Sequence, residues 1–411
     1  MERKTRTTTA LFAGAIALVA TLAVTATAVA GPSSKAAGPS PSQLCRTGGL
    51  GFASVLSGPN AALGLDQLRW ARVFLLYWNT GKPMVGLPKD FKRKPIRLRA
   101  IGDSQLNPQV AATVGGQMLS NPEVLAMMGF VGSNESLGGG PVLDRGGMAY
   151  VSGSATRDDV ATTLKNFFRV VPNNLAQAQL AIGYLLKNGL IKSGQQAMVV
   201  DDAEAYGINL ADDGQKVLVA GGLKIDRESQ PQSTASATAD FSALANKAVA
   251  IRADIIYAPT QTASDSQLFA QQLKSAGYKG LFVGADGSFN STAFKFPGAY
   301  LTYFGADVHK VPVAKPYLAT FTKLYGETIG FGPPTFTAME MLAIAVSQSC
   351  ADGKTSRAEV LKTLPKVKIT TSILGVPIAF DNEGDLFHGP KKGVTFFHIE
   401  SDGSYKLIAS S

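Results

Sequence analysis

The 411-residue chain contains two cysteines, three histidines and two tryptophans, and only 17% of its residues are charged. These scarcities exclude several kinds of chemistry. Among His309, His388 and His398 no pair has an i,i+4 metal spacing, and no cysteine is close to any of them, so no zinc-type ligand set is expected. Sequence order is compatible with a Ser/His/Asp triad, but no Gly-x-Ser-x-Gly elbow is followed by a suitable histidine. Gly138-Gly139-Gly140 lacks the lysine of a phosphate loop, and no Gly-x-Gly-x-x-Gly opens a helix after the first strand. Neither an enzyme nor a metal or cofactor is expected.

Beyond the N-terminus the chain has no apolar run near the roughly 20 residues that span a bilayer. The N-terminus itself reads as a secretory signal over residues 1–30. Arg3, Lys4 and Arg6 precede an apolar stretch from Ala10 to Ala23, and Ala28-Val29-Ala30 supplies the small-x-small cleavage pattern. The protein is therefore expected to be exported, to the periplasm or the outside of the cell envelope. Residues 31–44, rich in Pro, Ser, Gly and Ala, read as a flexible linker.

An oxidising compartment makes the even pair Cys45 and Cys350 a candidate disulfide. Two alternatives are open. Cys45 could carry a lipid, although Ser42-Gln43-Leu44 puts no small residue just before it, or both thiols could be free.

Hydrophobic residues make up 45% of the chain, enough for a sizeable core, and the length suits two or three folding units. The net charge of +9 is mostly scattered. Its one dense run, Lys89, Lys92, Arg93, Lys94, Arg97 and Arg99, has neither interleaved aromatics nor a nucleic-acid-binding module around it, so no nucleic-acid partner is expected.

After Cys45, strands alternate with helices. Leu50–Leu56, Ile96–Ile101, Val124–Gly132 and Ala149–Val151 read as strands. Asp66–Asn79, with Leu68, Ala71, Leu75 and Trp78 at helical spacing, and Pro108–Leu119 read as helices. The pattern restarts with strands at Ala197–Val200, Leu223–Asp226, Asp254–Ala258 and Gly280–Gly284, separated by helices. Two such sets predict two α/β lobes with parallel sheets. Ligands of open α/β sheets sit beyond the carboxyl ends of the strands. This directs attention to the loops 57–63, 132–136, 152–156, 201–206, 260–264 and 286–290, all rich in Gly, Ser, Thr, Asn and Asp.

These loops resemble those of the leucine/isoleucine/valine-type substrate-binding proteins of ABC importers, the type I periplasmic binding proteins. The resemblance rests on Ser57-Gly58-Pro59-Asn60-Ala61-Ala62-Leu63-Gly64, Asp103 to Pro108, Gly129-Phe130-Val131-Gly132-Ser133 and Val151-Ser152-Gly153-Ser154-Ala155-Thr156. In the second half it rests on Asp202 to Gly207, Asp240-Phe241 and Gly284-Ala285-Asp286-Gly287.

It implies two doubly wound parallel-sheet α/β lobes joined by three hinge crossovers, near Pro172, Gly305 and Leu374. Lobe 1 would span 45–170 plus 307–370, and lobe 2 would span 171–306 plus 371–411. It also implies a binding role for Ser133 and for the loop Ser154-Ala155-Thr156 at a ligand carboxylate and head group, for Asp286 at an ammonium, and for Tyr206 at the rim. Leu63 departs from the tyrosine usual in leucine binders, and Thr260-Gln261-Thr262 also lacks an expected tyrosine. The implied partners are a small amino-acid-like solute and an ABC permease, with the protein a monomer. Three other readings compete with amino-acid capture: a ligand without an α-amino group (an amide, urea or small aromatic acid), a ligand-sensing subunit, and an exported hydrolase.

Overall fold

The structure, a computed structural model, describes residues 38–234, 237–387 and 393–411. The predicted signal peptide, the first half of the predicted linker and His388 lie outside these residues. No helix among the described residues is long and apolar enough to cross a membrane.

The first sheet is built from β1 (Gly49–Ser54), β2 (Leu98–Asp103), β3 (Val124–Met128), β4 (Tyr150–Ser152) and β5 (Phe167–Arg169). Interleaved with these strands are α1 (Pro41–Thr47), α2 (Ala61–Asn79), α3 (Pro108–Ser120), α4 (Ser133–Arg145) and α5 (Val160–Thr163). The strand order is β2-β1-β3-β4-β5, parallel throughout. β1 and β3 are buried along their whole length, as strands covered by helices on both faces must be.

The chain then enters α6 (Asn174–Lys187), β6 (Gln196–Asp201), α7 (Ala205–Ala220), β7 (Lys224–Ser229), α8 (Ser242–Ala250), β8 (Ile255–Tyr257), α9 (Ala263–Ser275), β9 (Leu281–Gly284) and β10 (Tyr300–Tyr303). It returns to the first sheet's helices as α10 (Lys315–Tyr325), α11 (Pro333–Ser349) and α12 (Arg357–Thr363). A short pair follows, β11 (Lys368–Ile369) with β12 (Ile378–Ala379), and finally the hairpin of β13 (Thr395–Ile399) and β14 (Tyr405–Ser410). The second sheet has the order β14-β13-β10-β9-β8-β6-β7, parallel apart from its hairpin edge. The fold is thus α/β with parallel sheets in two lobes.

Four local expectations are revised. First, ordered chain begins before Cys45. Ser40 caps α1, Pro41 occupies the first turn, and Gln43 bonds back to the Ser40 amide, a complete capping box inside the stretch read as linker. Second, β3 stops at Met128 because Gly129 takes φ +140°, a conformation glycine adopts without strain. Third, Gly138-Gly139-Gly140, weighed in the sequence only as a phosphate loop without its lysine, is the middle of α4, where the helix presses on its neighbours. A methyl group at Gly138 would stand 2.3 Å from the Pro108 carbonyl, and one at Gly140 would stand 2.3 Å from the Tyr150 hydroxyl. Fourth, Leu374 precedes the third passage between sheets. The Arg169 amide donates to the Gly384 carbonyl at 3.1 Å and Phe380 packs on Phe168, so the segment up to Phe387 stays at the edge of the first sheet. The chain joins the second sheet only after it.

Cys45 on α1 is bonded to Cys350, the residue that caps α11. α11 is buried without a break from Pro333 to Val346, so the bond fastens the chain's first described helix to the centre of the first lobe's core. It closes a loop with a sequence separation of 305 residues. Loops of that length restrict the unfolded chain strongly, and losing such a bond typically costs about 2–4 kcal/mol. Reduction is therefore expected to lower the midpoint of thermal unfolding. Intact mass after alkylation without reduction should show no modified thiol; two modified thiols would contradict the bond.

Candidate functional site

The loops at the carboxyl ends of both sheets face one another across a cleft. Leu63, Leu106, Val131, Ser133, Ser154 and Phe331 line it from the first lobe, and Tyr206, Gln261 and Asp286 line it from the second. Hydrogen bonds draw the lobes together at its rim. Asn60 Nδ2 donates to Thr262 Oγ1 at 3.2 Å, Asn134 Nδ2 to Glu204 Oε2 at 3.1 Å, and Arg157 Nη1 to the Ala205 carbonyl at 3.0 Å. At this separation the cavity between them is about 20 Å³, the scale of a single water. A cavity of about 280 Å³ lies beside the crossovers, lined by Val170, Pro172, Phe304, Leu374 and Ile378. No charged group among the described residues lines it, and the smaller interlobe cavity, lined by Ser133 and Asp286, is the better candidate.

On the first lobe the start of α4 presents hydrogen-bond donors to the cleft. Gly132 precedes α4, and Glu135 turns back to accept the Gly132 amide at 2.7 Å. Burial raises the Glu135 carboxyl to about 7, with hydrogen bonds from Ser104 and the Gly132 and Leu106 amides opposing the rise. The α4 N-terminus, with its free amides and partial positive charge, points toward the cleft beside Ser133. Ser133 Oγ accepts the Arg157 amide at 3.1 Å, and that bond leaves the hydroxyl hydrogen to be donated elsewhere.

The Ser154-Ala155-Thr156 loop divides its tasks. The Ser154 hydroxyl is fully used inside the lobe, donating to the Val131 carbonyl at 2.6 Å and accepting Gln67 Nε2 at 2.8 Å. What Ser154 offers the cleft is therefore its backbone. Ala155 is held by Ser152 Oγ at 2.9 Å and does not line the cavity. Thr156 also lies behind the surface, fully buried, and its hydroxyl has no partner among the described residues.

On the second lobe Tyr206, from the first turn of α7, donates its hydroxyl to Asp286 Oδ1 at 2.7 Å and accepts the Gly287 amide at 3.2 Å. Asp286 follows β9, so it stands at the carboxyl end of the sheet. Burial pushes its carboxyl up to about 6, against the pull of hydrogen bonds from Tyr206 and Gln177. Asp202 is also buried and raised to about 8, but it faces its own lobe. It accepts the amides of Glu204 at 3.0 Å and Gln261 at 2.9 Å, joining the loop after β6 to the loop after β8.

Of the residues singled out in the sequence, Leu63, Ser133, Ser154, Tyr206 and Asp286 line one cavity. Leu106, Gln261 and Phe331 were not singled out as contacts. Phe331 enters from the segment before α11, where no motif marks it. No group of three or more His, Cys, Asp or Glu that could hold a metal occurs among the described residues.

Comparison with known proteins bears on the fold and the family. The Leu/Ile/Val-binding protein homolog 3 of Brucella melitensis is 25% identical over 82% of this chain and 88% of its own length. The leucine-binding protein LivK of Thermotoga maritima shares the fold with a TM-score of 0.73 at 21% identity, covering 88% of this chain and 98% of its own. A solute-binding protein of Rhodopseudomonas palustris, solved with 3,4-dihydroxybenzoic acid, shares it at a TM-score of 0.71 and 16% identity, covering 89% and 97%. Residues 49–404 match the family described as periplasmic binding protein, and the chain belongs to that family.

Proposed function

We propose that this protein captures an α-amino acid or a similar small solute between its lobes outside the cytoplasm, as a monomer, and delivers it to the permease of an ABC importer without chemical change. The observation that carries this reading is the opposition of charges across the cleft. Ser133 and the α4 N-terminus offer donors to a carboxylate on one side, and Asp286 offers an acceptor to an ammonium on the other. The spare hydrogen of Ser133 supports the same assignment. Ser154 would meet the head group through its backbone, with Tyr206 holding Asp286 in place.

A thermal-shift screen tests this. Amino acids, amides, urea and aromatic acids are compared, because a ligand that binds only the folded state raises its melting temperature by mass action. An α-amino acid should give the largest shift. The acid bound by the Rhodopseudomonas neighbour defines the alternative, and a shift with aromatic acids alone would favour it. Hinge closure gives a second readout, since the radius of gyration should fall on adding the ligand that shifts the melt.

A further inference from the structure

The proposed function leaves the solute's side chain open, and one residue of the cleft bears on it. Gln261 is held by its backbone, the amide donating to Asp202 Oδ2 at 2.9 Å. Its Cα packs against Gly287, where an added methyl group would stand only 2.7 Å away. Across the cleft its side-chain amide lies beside Gly132, where a methyl group would stand 3.3 Å from Nε2. Gln261 therefore reaches from the Asp286 loop toward the N-terminus of α4, across the interlobe cavity.

The side chain is 7% exposed, and its Oε1 has no hydrogen-bond partner among the described residues. On the cavity wall Leu63, Leu106, Val131 and Phe331 are apolar, while Ser133, Ser154, Tyr206 and Asp286 are polar. A buried amide oxygen left unpaired costs free energy that a donor on the ligand would recover. An aliphatic ligand side chain would leave it unpaired, and sites built around such a group reject the apolar analogue strongly.

On the basis of the amino-acid reading above, we infer that Gln261 determines specificity, and that the solute is an α-amino acid whose short side chain carries a hydroxyl or a carboxamide.

Calorimetry with near-isosteric pairs, threonine with valine and asparagine with leucine, tests this on the unaltered protein. The polar member of at least one pair should bind tenfold or more tightly than its apolar partner. In Gln261→Leu, checked for an unchanged circular-dichroism spectrum, that ratio should fall to threefold or less. Equal binding within both pairs would overturn the inference while leaving amino-acid capture intact. A preference that survives Gln261→Leu would overturn the role of Gln261. If no α-amino acid binds but urea or an aromatic acid does, the proposed function fails along with this inference.

Discussion

Asp286→Asn is expected to weaken amino-acid binding about ten- to hundredfold. A charge-assisted hydrogen bond contributes roughly 1.5–3 kcal/mol net, and each 1.4 kcal/mol is tenfold in affinity. The substitution keeps the size of the side chain and an acceptor for the Tyr206 hydroxyl, so the change is mainly the loss of charge. Ser133→Ala removes a neutral donor next to a helix N-terminus that remains, and should cost less, about 1 kcal/mol.

Titration gives a second signature. The free carboxyl of Asp286 sits at about 6, and binding an ammonium requires its ionised form. Affinity should hold above pH 7 and fall about tenfold per unit below pH 6, while Asp286→Asn should lose that dependence. The stability effect has the opposite sign. A carboxyl raised by burial favours the folded state below its unfolded value, and this contribution is lost as pH rises through about 6. Without ligand, Asp286→Asn should therefore be at least as stable as the parent at pH 8, which separates weak binding from poor folding. Unchanged affinity in calorimetry would remove Asp286 as the ammonium partner.

Much of this site was readable before the fold was known, because strand-ending loops announce themselves. A short apolar run that stops in Gly, Ser or Asp predicts both the strand and the loop at its carboxyl end. Val151-Ser152-Gly153-Ser154 and Gly284-Ala285-Asp286 are such cases. Contacts set by tertiary packing were not readable. Gly138-Gly139-Gly140 has the composition of a loop, and only the approach of Pro108 and Tyr150 explains why those residues are small inside a helix. Phe331 meets the cleft because the chain returns to the first lobe after β10, a long-range crossover that leaves no local pattern. The hydroxyl of Ser154 shows a further limit. Its motif was visible, but not that Val131 and Gln67 already occupy it.

Asp385→Ala is expected to destabilise the protein by about 3–5 kcal/mol, the usual result of stripping the partner from a buried charge. Arg169, at the end of β5, is fully buried. Its Nε donates to Asp385 Oδ1 at 2.7 Å and its Nη2 to Asp385 Oδ2 at 2.6 Å, a bidentate pair. Its remaining donors reach the carbonyls of Ala155 at 3.3 Å, Arg157 at 2.7 Å and Asp158 at 3.3 Å. Guanidinium has five N–H groups, and these five bonds use all of them.

Arg169 therefore connects two things the function needs. It fixes the backbone just after Ser154, which includes Thr156 and the Arg157 amide that orients Ser133. Through Asp385 it also holds the segment that precedes the third passage between the sheets. Losing Asp385 should loosen both, so ligand affinity should fall along with stability although Asp385 lines no part of the cavity. Asp385→Asn, which keeps one strong acceptor, should lie between parent and alanine. Replacing both partners, Arg169→Met with Asp385→Leu, should restore much of the stability, because no buried charge is then left unpaired. It should not restore affinity, because the carbonyls of the 155–158 loop still lack their donors. Urea denaturation and calorimetry on the parent and the three variants would decide. Stability of Asp385→Ala within 1 kcal/mol of the parent would show that Arg169 carries no such load, and a double variant that binds as tightly as the parent would show that the loop needs no clamp.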